Sequence, residues 1–342
     1  MSRNFSFNTA ALSQSVEARA READFSGVVS VTGLHEPFVR AYGLAERAHG
    51  IANTPETRFG IASGTKFLTA LAIGTLVDAG AFAFTTPVQE LLSFDLPRFH
   101  DGITIHHLLT HTSGIFDYYD EELVEDFDNF FVSIPWYQLT TPRDYLPLFQ
   151  DEAMKFDPGA RFSYSNGGYI LLGIVVEEVT GRLFRQVVAE SVLAAAGMDD
   201  SGFFALNQLP ERTATGYMVL EDGTIQSNVY NLPRIGASDG GAFLTAADAE
   251  RLWKAFFAGR IVAPETRDIF TTGHVPTNEH VSYGYGLYIW NEPDEPAYFI
   301  VGGDAGVGFD SRHFPERGVT ATILSNVTNG EDAMRGALYA PE

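Results

Sequence analysis

An α+β fold, one antiparallel sheet completed by both chain ends with a helical lobe inserted between them, is predicted by three features of this 342-residue sequence. Segments rich in β-branched and aromatic residues lie toward the two termini. The stretch from 63 to 197 is mainly helical in pattern. No Pro/Gly/Ser-rich linker divides the chain, so one domain of two lobes is expected: an α/β lobe from 1–62 and 240–342, and a mainly helical lobe from 63–239.

The elements follow in order. "MSRNFSFNTAALSQSVEARARE" lacks the apolar run of a signal peptide and reads as a short amphipathic helix, which makes the cytoplasm the default location. "FSGVVSVTG" (25–33) and "PFVRAYGLA" (37–45), parted by "LHE", read as a hairpin. Residues 66–80 and 169–180 are apolar with few charges, as buried helices are, and Gly80 and Gly181 offer left-handed caps. Strand patterns return at 283–291, 297–303, 306–314 and 317–326, separated by short turns, and predict an antiparallel meander before a final helix near 330–339.

Composition removes several function classes. A net charge of −22 argues against nucleic acid and anionic membrane as partners, because phosphate binding needs clustered cations. Without cysteine there is no disulfide, no thiolate catalysis and no Cys-based metal site. No window of 18 consecutive apolar residues suggests membrane insertion.

Only three lysines occur, and Lys66 stands three places after Ser63 at the start of the first apolar helix. Residues i and i+3 are neighbours on one helix face, so Ser63 Oγ and Lys66 Nζ can meet. A serine hydroxyl needs a base to become a nucleophile, and a lysine can be that base only when burial lowers its pKa. The helix N-terminus adds N–H groups suited to an oxyanion. A phosphate-binding loop does not fit, since Thr65 separates Gly64 from Lys66 and Phe67 follows. A second constellation, "FDPGARFSYSNGGYILLGIVVEEVTG" (156–181), sets Tyr164 and Asn166 two apart ahead of an apolar helix, able to aim at one cleft. The competing reading makes Tyr164 core and Asn166 a helix N-cap.

Ser63-x-x-Lys66, "ITIHHLLTHTSGI" (103–115) and Tyr164-x-Asn166 together resemble the serine β-lactamase and penicillin-binding-protein superfamily, in its class C-related branch with family VIII esterases, D-aminopeptidases and D-alanyl-D-alanine carboxypeptidases. The resemblance runs from about 57 to 326 and includes "GAFLTAADAERLW" (241–253), where Thr245 and Asp248 can form a capping pair. It implies a β-lactamase/transpeptidase-like fold with a five-stranded antiparallel sheet flanked by helices. It also implies Ser63 as acylated nucleophile, Lys66 as its base partner, Tyr164 as proton relay and Asn166 as a substrate-binding amide; which of Lys66 and Tyr164 takes the first proton stays open. No cofactor is implied.

The third motif of the superfamily departs here. In "VGGDAGVGF" (301–309), aligning Gly308-Phe309 puts Gly302 at the cation's place and Asp304 at that of the last glycine, and makes the Ala305 N–H the second oxyanion donor. Losing the cation and gaining a carboxylate disfavours an anionic substrate by on the order of 1–3 kcal/mol. No Lys or Arg occurs between Arg98 and Arg143, and "FDYYDEELVEDFDNFF" (116–131) mixes carboxylates with aromatics, either a solvated loop or a lid favouring apolar or cationic substrates. His107 and His111 have zinc-pair spacing but no third ligand at a recognisable spacing, so no metal is expected. The expected function is a serine hydrolase acting on a small ester, amide or β-lactam, an esterase or D-amino-acid amidase or peptidase rather than an efficient β-lactamase. The alternatives are a catalytically weak penicillin-binding or ligand-sensing protein and a D-alanyl-D-alanine carboxypeptidase.

Overall fold

Residues Thr65–Asp78 (α2) are apolar on every side, and such a helix can only lie inside the protein. In the computed structural model, which describes residues 9–124, 126, 128–292 and 296–339, Thr65 to Gly74 are all buried. The ends of the predicted terminal segments, 1–8 and 340–342, lie outside the described residues, as do 125 and 127 of the acidic run. The amphipathic N-terminal helix is Thr9–Glu22 (α1). Between α2 and the second long apolar helix, Asn166–Thr180 (α4), lies the short Ile105–Leu109 (α3). Gly80 and Gly181, with φ of 74° and 64°, follow α2 and α4 in the left-handed conformation expected of them. Ala246–Phe257 (α5) begins at Thr245, whose hydroxyl accepts the Asp248 N–H. Phe67 of α2 stacks on Trp253 of α5 at 5.3 Å and meets the edge of Phe256. The chain closes with Gly330–Tyr339 (α6).

The main sheet has eight antiparallel strands, not five: Gly27–Thr32 (β1), Phe38–Tyr42 (β2), Val275–Pro276 (β3), Val281–Tyr283 (β4), Tyr288–Trp290 (β5), Ala297–Asp304 (β6), Val307–Phe314 (β7) and Val319–Ser325 (β8), in the order β2-β1-β8-β7-β6-β5-β4-β3. Five of these are long, and the three extra strands are short pieces on the β6 side. One of them arises because the segment predicted as a single strand at 283–291 is folded back at Gly286, whose φ is 73°. There a Cβ would lie 2.9 Å from Lys66 O, so the turn packs directly on α2. The first hairpin is as expected, with Gly27 opposite Tyr42 and Val31 opposite Phe38, and the N-terminal strand pairs with β8 near the C-terminus, Gly27 opposite Ser325.

Alternation in the strands sorts two cores. Val28, Ile300, Phe309 and Leu324 pack with α2, α3, α4 and α5 on one face. Val29, Val31, Ala321 and Ile323 pack with α1 and α6 on the other. No helix among the described residues is long and apolar enough to cross a membrane.

Candidate active site

Ser63 lies in the turn Ala62–Gly64 that leads into α2. Ala62 has φ of 41°, a region that residues with a Cβ seldom occupy, so backbone strain sits next to the candidate nucleophile. Lys66 Nζ lies 3.0 Å from Ser63 Oγ, 2.7 Å from Asn166 Oδ1 and 2.7 Å from the carbonyl oxygen of Asp239. Tyr164 lies beside both Ser63 and Lys66: the Ser63 side chain lowers the pKa of its hydroxyl against the larger effect of burial, and Lys66 Nζ sits 4.8 Å from its ring centroid. The four residues picked from local spacing thus meet at one point.

Burial is the main influence on Lys66 and lowers its pKa; the carboxylates of Asp239, Glu121, Asp117 and Asp304 oppose it. Burial holds the Tyr164 hydroxyl well above its ordinary value, reinforced by the negative charge of Glu121. Asn166 is not the N-cap of α4. That place belongs to Ser165, whose Oγ accepts the Gly168 N–H, while the Asn166 amide donates to Tyr119 O at 2.8 Å and so turns its oxygen toward Lys66.

Of three supports of this arrangement, Asp117 and Asp239 had no sequence signal, and His111 stood out only by its spacing from His107. Asp117 accepts the N–H groups of Asn166 and Gly167 at 2.8 and 2.9 Å, a carboxylate on the N-terminus of α4; burial nevertheless pushes it up to about 7. Asp239 accepts the Tyr118 hydroxyl at 2.5 Å while its backbone oxygen holds Lys66. His111, fully buried with φ of 57°, accepts the Ser165 N–H at its Nδ1 and meets the Tyr283 hydroxyl through Nε2. Burial and the nearby Lys66 keep it neutral, and it fixes the backbone between Tyr164 and α4. His107 instead closes a capping box with Thr104, so the two histidines serve different partners.

The strand edge differs from its sequence alignment. Gly302 is no vacated position for a cation: a Cβ there would lie 2.0 Å from Ile61 O and 2.9 Å from Ser63 N, so the strand backbone presses on the nucleophile turn and admits no side chain. The Ala305 N–H is taken by Asp304 Oδ1 at 2.9 Å, and Ala305 is fully buried. In the β6–β7 hairpin Asp304 pairs with Val307 around a two-residue turn. Alternation of the antiparallel ladder then aims the Gly303 N–H away from β7, along an edge that β5 ceases to cover after Phe299. Gly303, exposed and next to the point of contact with Ser63, lines the cleft.

That cleft encloses about 1190 Å³, part of it open to solvent, with Ser63 and Asn166 in its wall. Tyr118, Tyr119, Phe130 and Trp136 form one bank, and Phe204, Leu206 and Phe243 are among the apolar residues elsewhere in it. Glu121, Asp239 and Asp304 are its charged lining; among the described residues no lysine, arginine or histidine joins them.

Comparison with known proteins supports the fold. The chain is 41% identical to a penicillin-binding protein from Bacillus halodurans, whose crystal structure superposes with a TM-score of 0.88 over 94% of this chain and 98% of that one. It is 34% identical to esterase EstB of Burkholderia gladioli over 228 residues, 62% of this chain and 56% of that protein. It is 27% identical to penicillin-binding protein 4 of Amycolatopsis lactamdurans over 322 residues, 86% of this chain and 77% of that one. The chain spans less than two thirds of EstB and of two Bacillus subtilis penicillin-binding proteins, 65% and 63% of the latter. The family model described as Beta-lactamase matches residues 12–341, nearly the whole sequence. The chain belongs to the beta-lactamase family.

Proposed function

We propose that this protein is a serine hydrolase that forms an acyl-enzyme on Ser63 and acts on uncharged or cationic esters and amides in preference to anionic peptides and β-lactams. The observation that carries the reading is the 3.0 Å contact between Ser63 Oγ and the buried, pKa-lowered Lys66 amine. Lys66, uncharged, takes the Ser63 proton as Oγ attacks the carbonyl carbon. The Ser63 and Gly303 N–H groups receive the oxyanion, and Tyr164, kept protonated by its raised pKa, passes a proton to the leaving group. Water then attacks the ester carbonyl, its proton passing to the Tyr164 phenolate, and Lys66 returns a proton to Ser63 Oγ as it leaves.

The substrate preference rests on the cleft wall, which has carboxylates and no fixed cation for a substrate carboxylate. The likeness to an esterase supports it further. A penicillin-binding or ligand-sensing role draws on the altered strand edge, yet the intact Ser63–Lys66–Tyr164 cluster favours turnover. A panel of 4-nitrophenyl butyrate, D- and L-phenylalanine amides, an acyl-D-alanyl-D-alanine peptide and a chromogenic cephalosporin tests the reading. Expected is ester or amide turnover that disappears in Ser63→Ala, with the D-alanyl-D-alanine peptide at least tenfold slower. Faster turnover of that peptide than of the neutral ester contradicts it.

A further inference from the structure

We infer that Asp304 sets the substrate charge this site accepts, its carboxylate receiving an ammonium group carried by the acyl part of the substrate. The inference rests on the acyl-enzyme reading above and adds the residue that selects the substrate. Asp304 ends β6, one residue beyond Gly303, and lines the same cleft as Ser63. Its carboxylate accepts the Ala305 N–H at 2.9 Å and lies 3.5 Å from the Tyr119 hydroxyl, the outer limit of a hydrogen bond. An ionised carboxylate has room for about four donors, so most of its capacity is unused.

Among the described residues no lysine or arginine pairs with it. The three hydrogens that a charged Lys66 would carry point to Ser63, Asn166 and the Asp239 carbonyl. Of the other two carboxylates of the cleft, Asp239 accepts the Tyr118 hydroxyl and Glu121 is exposed to water. A half-buried carboxylate held by neutral donors alone gains from a cation brought beside it. The neighbouring surface suits a cation as well. Tyr119 stacks on Phe130 at 4.3 Å with the rings 13° from parallel, and both line the cleft, giving aromatic faces to an ammonium docked at Asp304.

The groups facing Asp304 are Asp239 on the loop before the Phe243 strand, Glu121 and Tyr119 on the 116–131 segment, and Lys66 on α2. Burial, with help from Asp239 and Glu121 and against the Ala305 N–H and Lys66, pushes Asp304 up to about 7. Its charge is therefore present above that pH and lost below it. Preference for an ammonium substrate should grow from pH 6 to pH 8, provided the substrate amine stays protonated.

The test uses four substrates: 4-nitrophenyl butyrate, and β-homophenylalanine ethyl ester with its N-acetyl and N-succinyl counterparts, each as both enantiomers; the β-amino group, farther from the ester carbonyl than an α-amino group, stays protonated at pH 8. Asp304→Asn and the charge-inverting Asp304→Lys are assayed beside the wild type, with thermal melts confirming folding. Expected is a wild-type kcat/KM at least tenfold higher for one enantiomer of the free-amine ester than for its N-acetyl form at pH 8. That ratio should fall several-fold at pH 6. It should approach unity in Asp304→Asn through a rise in KM, and Asp304→Lys should instead favour an N-succinyl ester. Equal wild-type rates on the free-amine and N-acetyl esters, or a preference unchanged in both variants, overturn the inference while butyrate turnover keeps the hydrolase reading intact. A wild type inert on every ester overturns both.

Discussion

Replacing Lys66 with alanine is expected to slow acylation of Ser63 by about 10²–10⁴-fold, the range for losing a positioned general base. The size of the effect follows from the absence of a substitute. Tyr164 is the other proton acceptor in contact with Ser63, but burial raises its pKa, so its phenolate is scarce at neutral pH. His111 is neutral, yet its two nitrogens are committed to Ser165 and Tyr283. Removing the 1% exposed Lys66 also opens space in the core, so Lys66→Met, which keeps the volume, separates loss of the base from loss of packing. Both variants should acylate slowly, with melting temperature lowered more in the alanine variant. The pH profile gives the sign. A base with a lowered pKa is uncharged over a wider range than free lysine, so wild-type acylation should reach its plateau below the ordinary lysine value of about 10.4. Stopped-flow measurement of the 4-nitrophenol burst with 4-nitrophenyl butyrate reads the rates. Wild-type-like acylation in Lys66→Met would remove Lys66 from the mechanism.

Gly302→Ala should cost about 10²-fold or more in kcat without touching any reacting side chain. The new Cβ would lie 2.0 Å from Ile61 O, a backbone atom that already accepts the Gly64 N–H at 2.8 Å and so shapes the nucleophile turn. Either β6 or the turn must move, and a shift of about 1 Å at the reacting atoms is enough for such a loss. The same strand edge can be probed at Ala305. Gly306, with φ of 68°, follows a residue outside the positive-φ region, as in a type II turn, where proline is favoured at the first central position. Ala305→Pro therefore removes an N–H from a turn position whose backbone suits proline, with a thermal melt checking that the buried site tolerates the ring. If Gly303 supplies the oxyanion donor, kcat falls by less than about tenfold; if Ala305 supplies it, the loss is about 10²–10³-fold.

Ser63 with Lys66, and Tyr164 with Asn166, were legible as pairs because each depends on a spacing of three or two residues within a turn or helix end; that the pairs face one another across 100 residues followed from the family resemblance. Their supports were not. Asp117 reaches the start of α4 across 49 residues, His111 reaches Ser165 across 54, and Asp239 reaches Lys66 across 173; nothing local distinguishes these residues from other buried or loop positions. Gly302 and Ala305 were misjudged for a different reason. Alignment by residue type treats a glycine in place of lysine as a missing side chain, whereas the fold needs the glycine for backbone contact with Ser63. The five strands implied by the resemblance fell short by the unmarked Val275–Pro276 and by the two pieces on either side of Gly286, where strand periodicity ran through a bend set by the fit against α2. The long strands, by contrast, alternate so regularly between two cores that their pattern alone marked them.

The central claim is that Ser63 carries the acyl group. Intact-protein and peptide mass spectrometry after treatment with a fluorophosphonate tests it directly. One phosphonyl adduct on the peptide containing Ser63, absent from Ser63→Ala and much slower to form in Lys66→Met, is the result this account predicts. An unmodified wild-type protein, or an adduct that persists in Ser63→Ala, contradicts it.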